Sequence, residues 1–249
     1  MAERMRLRFK DAGVWLGIVE SIEKVIDEGV FLVDAEGISL RALDVSHVAM
    51  IDLHFPSSSF EEFQVRGREE IGVSFGVLAR VLRRANKGSE LVLATEESSL
   101  IVEFLGKGRR TFKIPQLGLT YDKLPEPRIA FTVRAKLLGT TFTEAVGAIA
   151  PVSEVLELRA SEDRLVFAGE GDLVKRAEVE LLSGSNLLEL DAESDDRSKY
   201  STEYFTYLIP ASRRAETATI RYAGDAPVKI DLEHAGGGRL TLYVSPRAE

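Results

Sequence analysis

From about Asp11 to Ile26 the apolar positions fall three and four residues apart. Val14, Trp15, Ile18, Val19, Ile22, Val25 and Ile26 share one stripe, which predicts a helix. The period then changes to two. Val30–Val33 reads as a strand, Asp34–Gly37 as a turn and Ile38–Ala42 as the returning strand. Alternation resumes over His47–Phe55, and Ser58–Val65 reads as a connector or short edge. A second helix is predicted at Phe75–Ala85, with Val77, Leu78, Val81, Leu82 and Ala85 on its apolar face. Strands at Leu91–Thr95, Leu100–Leu105 and Arg109–Ile114 follow.

Pro115 to Arg128 breaks all periodicity and holds three prolines and Gly118, the composition of a linker. The same order then returns. A helix is predicted at Ala135–Ile149, strands at Val155–Arg159, Leu165–Gly169, Lys175–Leu182 and Leu187–Asp191, and a fourth helix near Thr202–Ile209. Strands at Thr217–Tyr222, Val228–Glu233 and Arg239–Val244 close the chain. An offset of about 130 residues implies two copies of one domain rather than a solenoid. The expected organisation is a first domain over 1–115, a linker over 116–128 and a second domain over 129–249. Short connections predict antiparallel sheets, so the class is α+β. The first and last strands of each half are expected at sheet edges, a liability unless another chain pairs with them.

Composition narrows the chemistry. With no cysteine among 249 residues, thiolate metal sites, disulfides and cysteine nucleophiles are excluded. Three histidines are too few for a histidine-rich metal centre. No apolar run reaches the roughly 20 residues of a membrane span, and Met1–Arg6 lacks the apolar core of a signal peptide. The expected location is intracellular, cytoplasm or nucleoid, with no membrane partner. The net charge of -8 speaks against a polyanion overall but says little about one face. Arg80, Arg83, Arg84 and Lys87 recur at helical spacing opposite the apolar face of the second helix. Gly106–Gly108 and Gly236–Gly238 lie between strands and read as hairpin turns. Asp191, Glu193, Asp195 and Asp196 lack the glycine and terminal glutamate of a calcium loop and read as a solvated acidic loop.

Ser39–Leu53 is the informative stretch. Asp44, Ser46 and His47 could suggest a hydrolase using His47 with Asp44 or Asp52, but no serine elbow or oxyanion loop accompanies them. The run L-x-A-L-D-x-S-H-V-x-x-I-x-L closely resembles the signature of the DNA polymerase sliding clamp, the proliferating cell nuclear antigen (PCNA) family, of archaeal type. Gly238–Arg247 resembles that family's closing strand and tail, and Tyr200–Phe205 the start of its fourth helix. The resemblance runs from about Met5 to Arg247.

The resemblance implies a DNA clamp fold of two similar domains, each with two helices packed on antiparallel sheets. It implies a ring of three subunits around duplex DNA, a homotrimer or a heterotrimer with other clamp subunits. The ring binds without sequence preference and catalyses nothing, with no catalytic residue, metal or cofactor. Lys10, Lys24, Arg80, Arg83, Arg84, Lys87, Lys107, Arg109, Arg110 and Lys136 are the DNA-facing candidates, Lys136 at the start of the third helix. Arg109, Thr111 and Lys113 are expected to meet Lys175, Ala177, Val179 and Leu181 of a neighbouring subunit. DNA polymerase, clamp loader, flap endonuclease and DNA ligase are implied partners, through short hydrophobic peptides. Their pocket is expected from Leu43, His47, Val48, Met50, Leu124, Pro125, Pro227, Tyr243, Val244, Ser245 and Pro246. A checkpoint-type clamp subunit is the alternative within the same fold. Pore charge is sparse and lopsided: residues 1–115 carry 16 basic and 18 acidic groups, and residues 129–249 carry 14 and 20.

Overall fold

The computed structural model describes residues 4–192 and 196–247. The first half runs β1 (Met5–Phe9), α1 (Ala12–Glu23), β2 (Glu28–Asp34), β3 (Gly37–Leu43), β4 (Ala49–Pro56), β5 (Glu62–Val65), β6 (Glu69–Ser74), α2 (Phe75–Leu82), β7 (Glu90–Glu96), β8 (Ser99–Leu105) and β9 (Arg109–Pro115). The second half repeats that order. It runs β10 (Val133–Leu138), α3 (Gly139–Ile149), β11 (Val155–Ser161), β12 (Arg164–Glu170), β13 (Arg176–Leu182), β14 (Leu187–Ala192) and β15 (Asp196–Ser201). Then come α4 (Thr202–Tyr207), α5 (Ile209–Ser212), β16 (Thr217–Tyr222), β17 (Val228–His234) and β18 (Gly238–Val244).

The sheets repeat as well. One is ordered β5-β1-β7-β8-β9, and its counterpart β14-β10-β16-β17-β18 forms one end of a nine-stranded sheet. The other end is β4-β3-β2-β6, whose counterpart β13-β12-β11-β15 stands alone as a four-stranded sheet. The two ends of the large sheet meet where β18 pairs antiparallel with β4. Leu240 stands opposite Leu53, Leu242 opposite Ile51 and Tyr243 opposite Met50. Edges fall at β5, β9, β14, β6, β13 and β15. The expected edges at β9 and β13 are therefore present, whereas β1 and β10, the first strands of the two halves, and β18, the last strand of the second, are interior.

The helices form the second layer. Asp11 caps α1 by accepting the Gly13 amide at 2.8 Å. Trp15, Ile18, Val19 and Ile22 are buried below it. α1 ends at Glu23 because the amides of Val25 and Ile26 both turn back to the Ile22 carbonyl, so the last two expected stripe residues lie past the helix. α1 also reaches the second half. A Cβ on Gly17 would stand 2.5 Å from the Pro210 carbonyl oxygen, so the α1 and α5 backbones meet where only glycine fits. Ser21 accepts the Ala211 amide there at 3.1 Å.

Two expected boundaries move for one reason. The periodicity does not predict β1, and it places residues 135–138 in a helix. Both segments, β1 and β10, alternate more and less buried positions with period two. Each is hydrogen-bonded on both sides, β1 to β5 and β7, β10 to β14 and β16. Sheet pairing outweighs the helical reading of Ala135 and Leu138. Lys136 therefore lies on β10, not on a helix. α3 starts at Gly139, whose Cβ position would fall 2.4 Å from the Ser212 carbonyl oxygen. The fourth helix is split, with Pro210 in the first turn of α5. Gly106–Gly108 and Ala235–Gly237 join strands as turns.

The core of the first half is aromatic. Trp15 lies 5.2–6.3 Å from the rings of Phe9, Phe31, Phe55 and Phe60. His234 stacks obliquely on Phe55 from the other side, 5.9 Å away. It is 2% exposed, and among the described residues its Nε2 has no partner. Burial pushes its pKa down to about 4. The folded state therefore holds the imidazole neutral, and the stability this contributes is present above the unfolded pKa of about 6.5 and lost as pH falls towards 4. The expected contribution to the loss between pH 7 and pH 4 is about 3 kcal/mol. Chemical unfolding at both pH values should show it as the extra acid sensitivity of the wild type over His234→Leu. Equal acid sensitivity would refute a buried neutral histidine.

Candidate functional site

Two regions gather the expected functional residues. The first is the helix layer. Arg80, Arg83, Arg84 and Lys87 are all exposed, but they differ in freedom. α2 stops at Leu82, so Arg84 and Lys87 lie in the following turn rather than on the helix. Arg83 is committed to α1, donating to Glu20 at 2.7 Å and Glu23 at 3.2 Å. Lys10 and Lys24 are exposed at the two ends of α1. Lys136, on β10, pairs with Glu233 at 3.3 Å. Strand alternation puts Arg109 on the face of β9 away from the helix layer, in a forked contact with the Glu103 carboxylate at 2.6 and 2.7 Å, and Arg110 lies over the Phe104 ring. Lys113 bonds Glu96 at 3.0 Å. Among the described residues, the exposed cations of this layer that no carboxylate engages are Lys10 and Lys24 at the ends of α1, Arg213 after α5, and the group Arg80, Arg84 and Lys87, with Lys107 in the β8–β9 turn.

The second region is a cavity of about 140 Å³ at one end of the β4–β18 seam. Its walls include Leu43, His47, Val48, Met50, Pro227, Tyr243 and Ser245, together with Ala49, Pro127 and Ile129. Seven of the expected residues thus come together. Leu124, Pro125, Val244 and Pro246 are not among its lining. Val244 is fully buried, because strand alternation turns it to the core while Tyr243 faces the cavity. Leu124 is held elsewhere, its carbonyl accepting from Arg41 at 3.0 Å.

Pro127 and Ile129 take the place of Leu124 and Pro125 because of Glu126. Its carboxylate accepts from Lys229 Nζ and from the Tyr243 hydroxyl, both at 3.1 Å. Lys229 also lies 5.2 Å from the Tyr243 ring centre and holds the Glu126 carboxyl below the usual range. That clasp sets which part of the linker lies over the seam. The available sequence signal is the apolar Pro127 and Ile129 just past Glu126. What it lacks is the clasp's partners, about a hundred residues away.

The turn between β3 and β4 is closed by Asp44, which is 7% exposed. One carboxylate oxygen accepts the amides of Val48 and Ala49 at 2.8 and 2.9 Å. The other accepts the Tyr204 hydroxyl at 2.8 Å. His47 is exposed with φ of 57°, a left-handed turn conformation. Asp52 is bound by Arg41 Nε at 3.0 Å. Both carboxylates that the hydrolase reading needs are thus engaged in holding strands and turns. Of the acidic loop, Glu193 and Asp195 lie outside the described residues. No group of three or more His, Asp or Glu among the described residues is placed to hold a metal.

For the edge residues, Ala177 and Val179 face the core side of β13, half-buried, and Leu181 is buried. Lys175 lies one residue before that strand. Thr111 is exposed on β9 and donates to Glu103 at 3.3 Å.

Comparison with known proteins agrees with this geometry. The pattern of the proliferating cell nuclear antigen N-terminal domain matches residues 4–121. DNA polymerase sliding clamp 3 of Aeropyrum pernix is 51% identical over 246 residues, 98% of each chain. The DNA polymerase sliding clamp of Thermofilum pendens is 32% identical, over 97% of this chain and 98% of its own. A crystal structure of a PCNA2–PCNA3 complex from Sulfolobus tokodaii superposes with a TM-score of 0.92 at 28% identity, covering 98% of this chain and all of that one. The Thermococcus kodakaraensis PCNA gives 0.90 at 28% identity, with the same coverage. These alignments run through both halves, and the chain belongs to the DNA polymerase sliding clamp family, PCNA, of archaeal type.

Proposed function

We propose that this sliding clamp subunit closes a three-subunit ring around duplex DNA and tethers polymerase, clamp loader, flap endonuclease and ligase to it through short hydrophobic peptides. It acts as a binding scaffold, in the compartment that holds the DNA. The domains are taken as 1–115 and 129–249, joined by the linker 116–128. One observation carries the ring. The β4–β18 seam inside the chain has its two halves duplicated at open edges, β18 by β9 and β4 by β13.

Core-facing positions give the register. In pairing with its neighbouring strand, Leu242 of β18 corresponds to Phe112 of β9, and Ile51 of β4 to Ala177 of β13. Leu242 faces Ile51 within the chain, so Phe112 of one subunit faces Ala177 of the next, and Arg110 faces Val179. On the outer face Arg109 meets Glu180 and Thr111 meets Glu178. Lys113 meets Arg176, whose charge is shared with Glu170 and Glu178. Open edges of this length are stable when paired, and a head-to-tail contact closes into a ring where its rotation returns to the first subunit. The Sulfolobus tokodaii structure, a complex of PCNA2 with PCNA3, supports assembly with other clamp subunits.

The register has a direct test. Glu180→Lys should weaken self-association by about fivefold, the scale of one cross-strand charge pair, and Arg109→Glu in the facing copy should restore it. Sedimentation equilibrium reads both, and an unchanged association constant for Glu180→Lys would count against this register.

DNA contact should be electrostatic and without base readout. Alanine at Arg80, Arg84 and Lys87 should lower retention on closed circular DNA and flatten its dependence on salt. The log–log slope should fall by up to about 0.9 for each phosphate that is no longer neutralised. Arg83→Ala should change retention less, because Glu20 and Glu23 already occupy it. A steeper loss from Arg83 than from Arg84 would sink this assignment.

The peptide pocket is proposed at the cavity beside Tyr243, with aliphatic and aromatic side chains inserted between Met50, Ile129, Pro227 and Tyr243. Calorimetry with a peptide carrying a glutamine, an aliphatic residue and two aromatics should separate its walls. Ile129→Ala should lose about 1–2 kcal/mol, five- to thirtyfold, and Leu124→Ala should stay within about twofold of wild type. The reverse order would place the anchor further up the linker.

A further inference from the structure

The Tyr204 hydroxyl bonds a residue 160 positions away in the chain, crossing from α4 to the β3–β4 turn. We propose that Tyr204 is a positioning residue that sets the shape of the peptide pocket from the helix layer, through Asp44. The inference rests on the pocket reading above and adds a residue outside the pocket that controls it.

The chain of contacts is short. Asp44 Oδ2 accepts from Tyr204, and Asp44 Oδ1 accepts from the Val48 and Ala49 amides. Asp44 also donates its own amide to the Ala49 carbonyl at 2.9 Å. Rotation of this carboxylate therefore moves the amides of two residues that line the cavity, and His47 and Met50 flank them. Downstream, the Val48 carbonyl accepts the Ser245 amide at 2.9 Å, so the far wall is fixed through the same turn. A carboxylate with three donors has little rotational freedom. Removing one donor leaves a nearly buried oxygen unsatisfied, and the group reorients towards water.

Tyr204 is itself held. Its ring packs edge-on to Tyr207 at 5.5 Å. Burial and then the Asp44 carboxylate push its pKa up to about 12, so it remains a donor throughout the neutral range. α4 packs against α3 and α5, the layer that carries the second half's share of the inner face. The bond therefore connects that face to the pocket on the outer side of the seam. Coupling is reciprocal: a peptide that orders the turn also orders α4.

Three measurements test this. The peptide described above should bind Tyr204→Phe about three- to tenfold more weakly than wild type, because the pocket is less preorganised. The Val48 and Ala49 amides should exchange with solvent faster in the variant, while the unfolding midpoint stays within the scatter of wild type. Asp44→Asn retains the Oδ1 acceptor and turns an NH2 towards the Tyr204 hydroxyl, which can accept from it, so it should weaken binding less than Tyr204→Phe does. The double variant should be no worse than Tyr204→Phe alone, since the hydroxyl that either direction of the bond needs is then gone. Equal peptide affinity and equal Val48 and Ala49 exchange in wild type and Tyr204→Phe would overturn the proposal, as would full additivity in the double variant. If wild type itself fails to bind the peptide, the pocket assignment falls, and the exchange rates of Val48 and Ala49 alone decide whether Tyr204 positions the turn.

Discussion

The antiparallel seam between β4 and β18 is the constraint on which the rest depends. It joins two sheet halves that would otherwise end in open edges, and gives them one core face and one outer face. On the core side Leu53, Ile51 and Ala49 stand opposite Leu240, Leu242 and Val244, all of them buried. On the outer side Asp52 and Met50 stand opposite Thr241 and Tyr243. A slip of one residue would exchange the faces. It would also separate Tyr243 from Met50, and the cavity between them would vanish. The α1–α5 contact at Gly17 adds a second tie between the halves on the helix side. Register, helix packing and pocket are therefore one problem with one solution.

The outer face of that seam is stabilised by charge rather than apolar packing. Arg41 meets Asp52, Arg221 meets Asp231, Thr241 donates to Asp231 at 2.6 Å, and Lys229 meets Glu126. Asp231 is 3% exposed and depends on these donors, since a buried carboxylate without partners is costly. The same local pairing explains the inner face. Arg83 is engaged by two carboxylates of its own half, so fewer cations are free there than a count of arginines suggests. The acidic net charge and a DNA-encircling role coexist because the charges are mostly paired locally.

Much of this is legible in the sequence, and the failures follow a pattern. Local signals succeed where local physics decides: the α1 stripe, the glycine hairpins, and the Asp44–His47 turn. The doubled element order is visible from periodicity alone. Reading fails where a distant partner decides. Residues 135–138 look helical until β14 and β16 claim them from both sides. Val244 and Tyr243 both fit a strand in sequence, and only the pairing with β4 turns one to the core and the other to the cavity. Leu124 gives way to Pro127 and Ile129 because Glu126 finds Lys229, a contact between residues 103 apart. The alternation of β1 is present but too short to stand out beside a charged N-terminus.

The aromatic core of the first half has a practical consequence. Trp15 is the chain's single tryptophan, and its four ring neighbours all belong to that half. The second half has its own aromatic cluster of Phe142, Phe167, Tyr200 and Phe205, which contains no indole. Indole emission is therefore a local probe that reports the solvent access of one domain. Tyrosine absorbance and backbone dichroism sample both. Melting curves recorded by these three optical signals superimpose when the molecule unfolds as one cooperative unit and split when the seam yields first. The placement of one side chain thus turns a spectrometer into an instrument for asking how tightly the two domains are coupled.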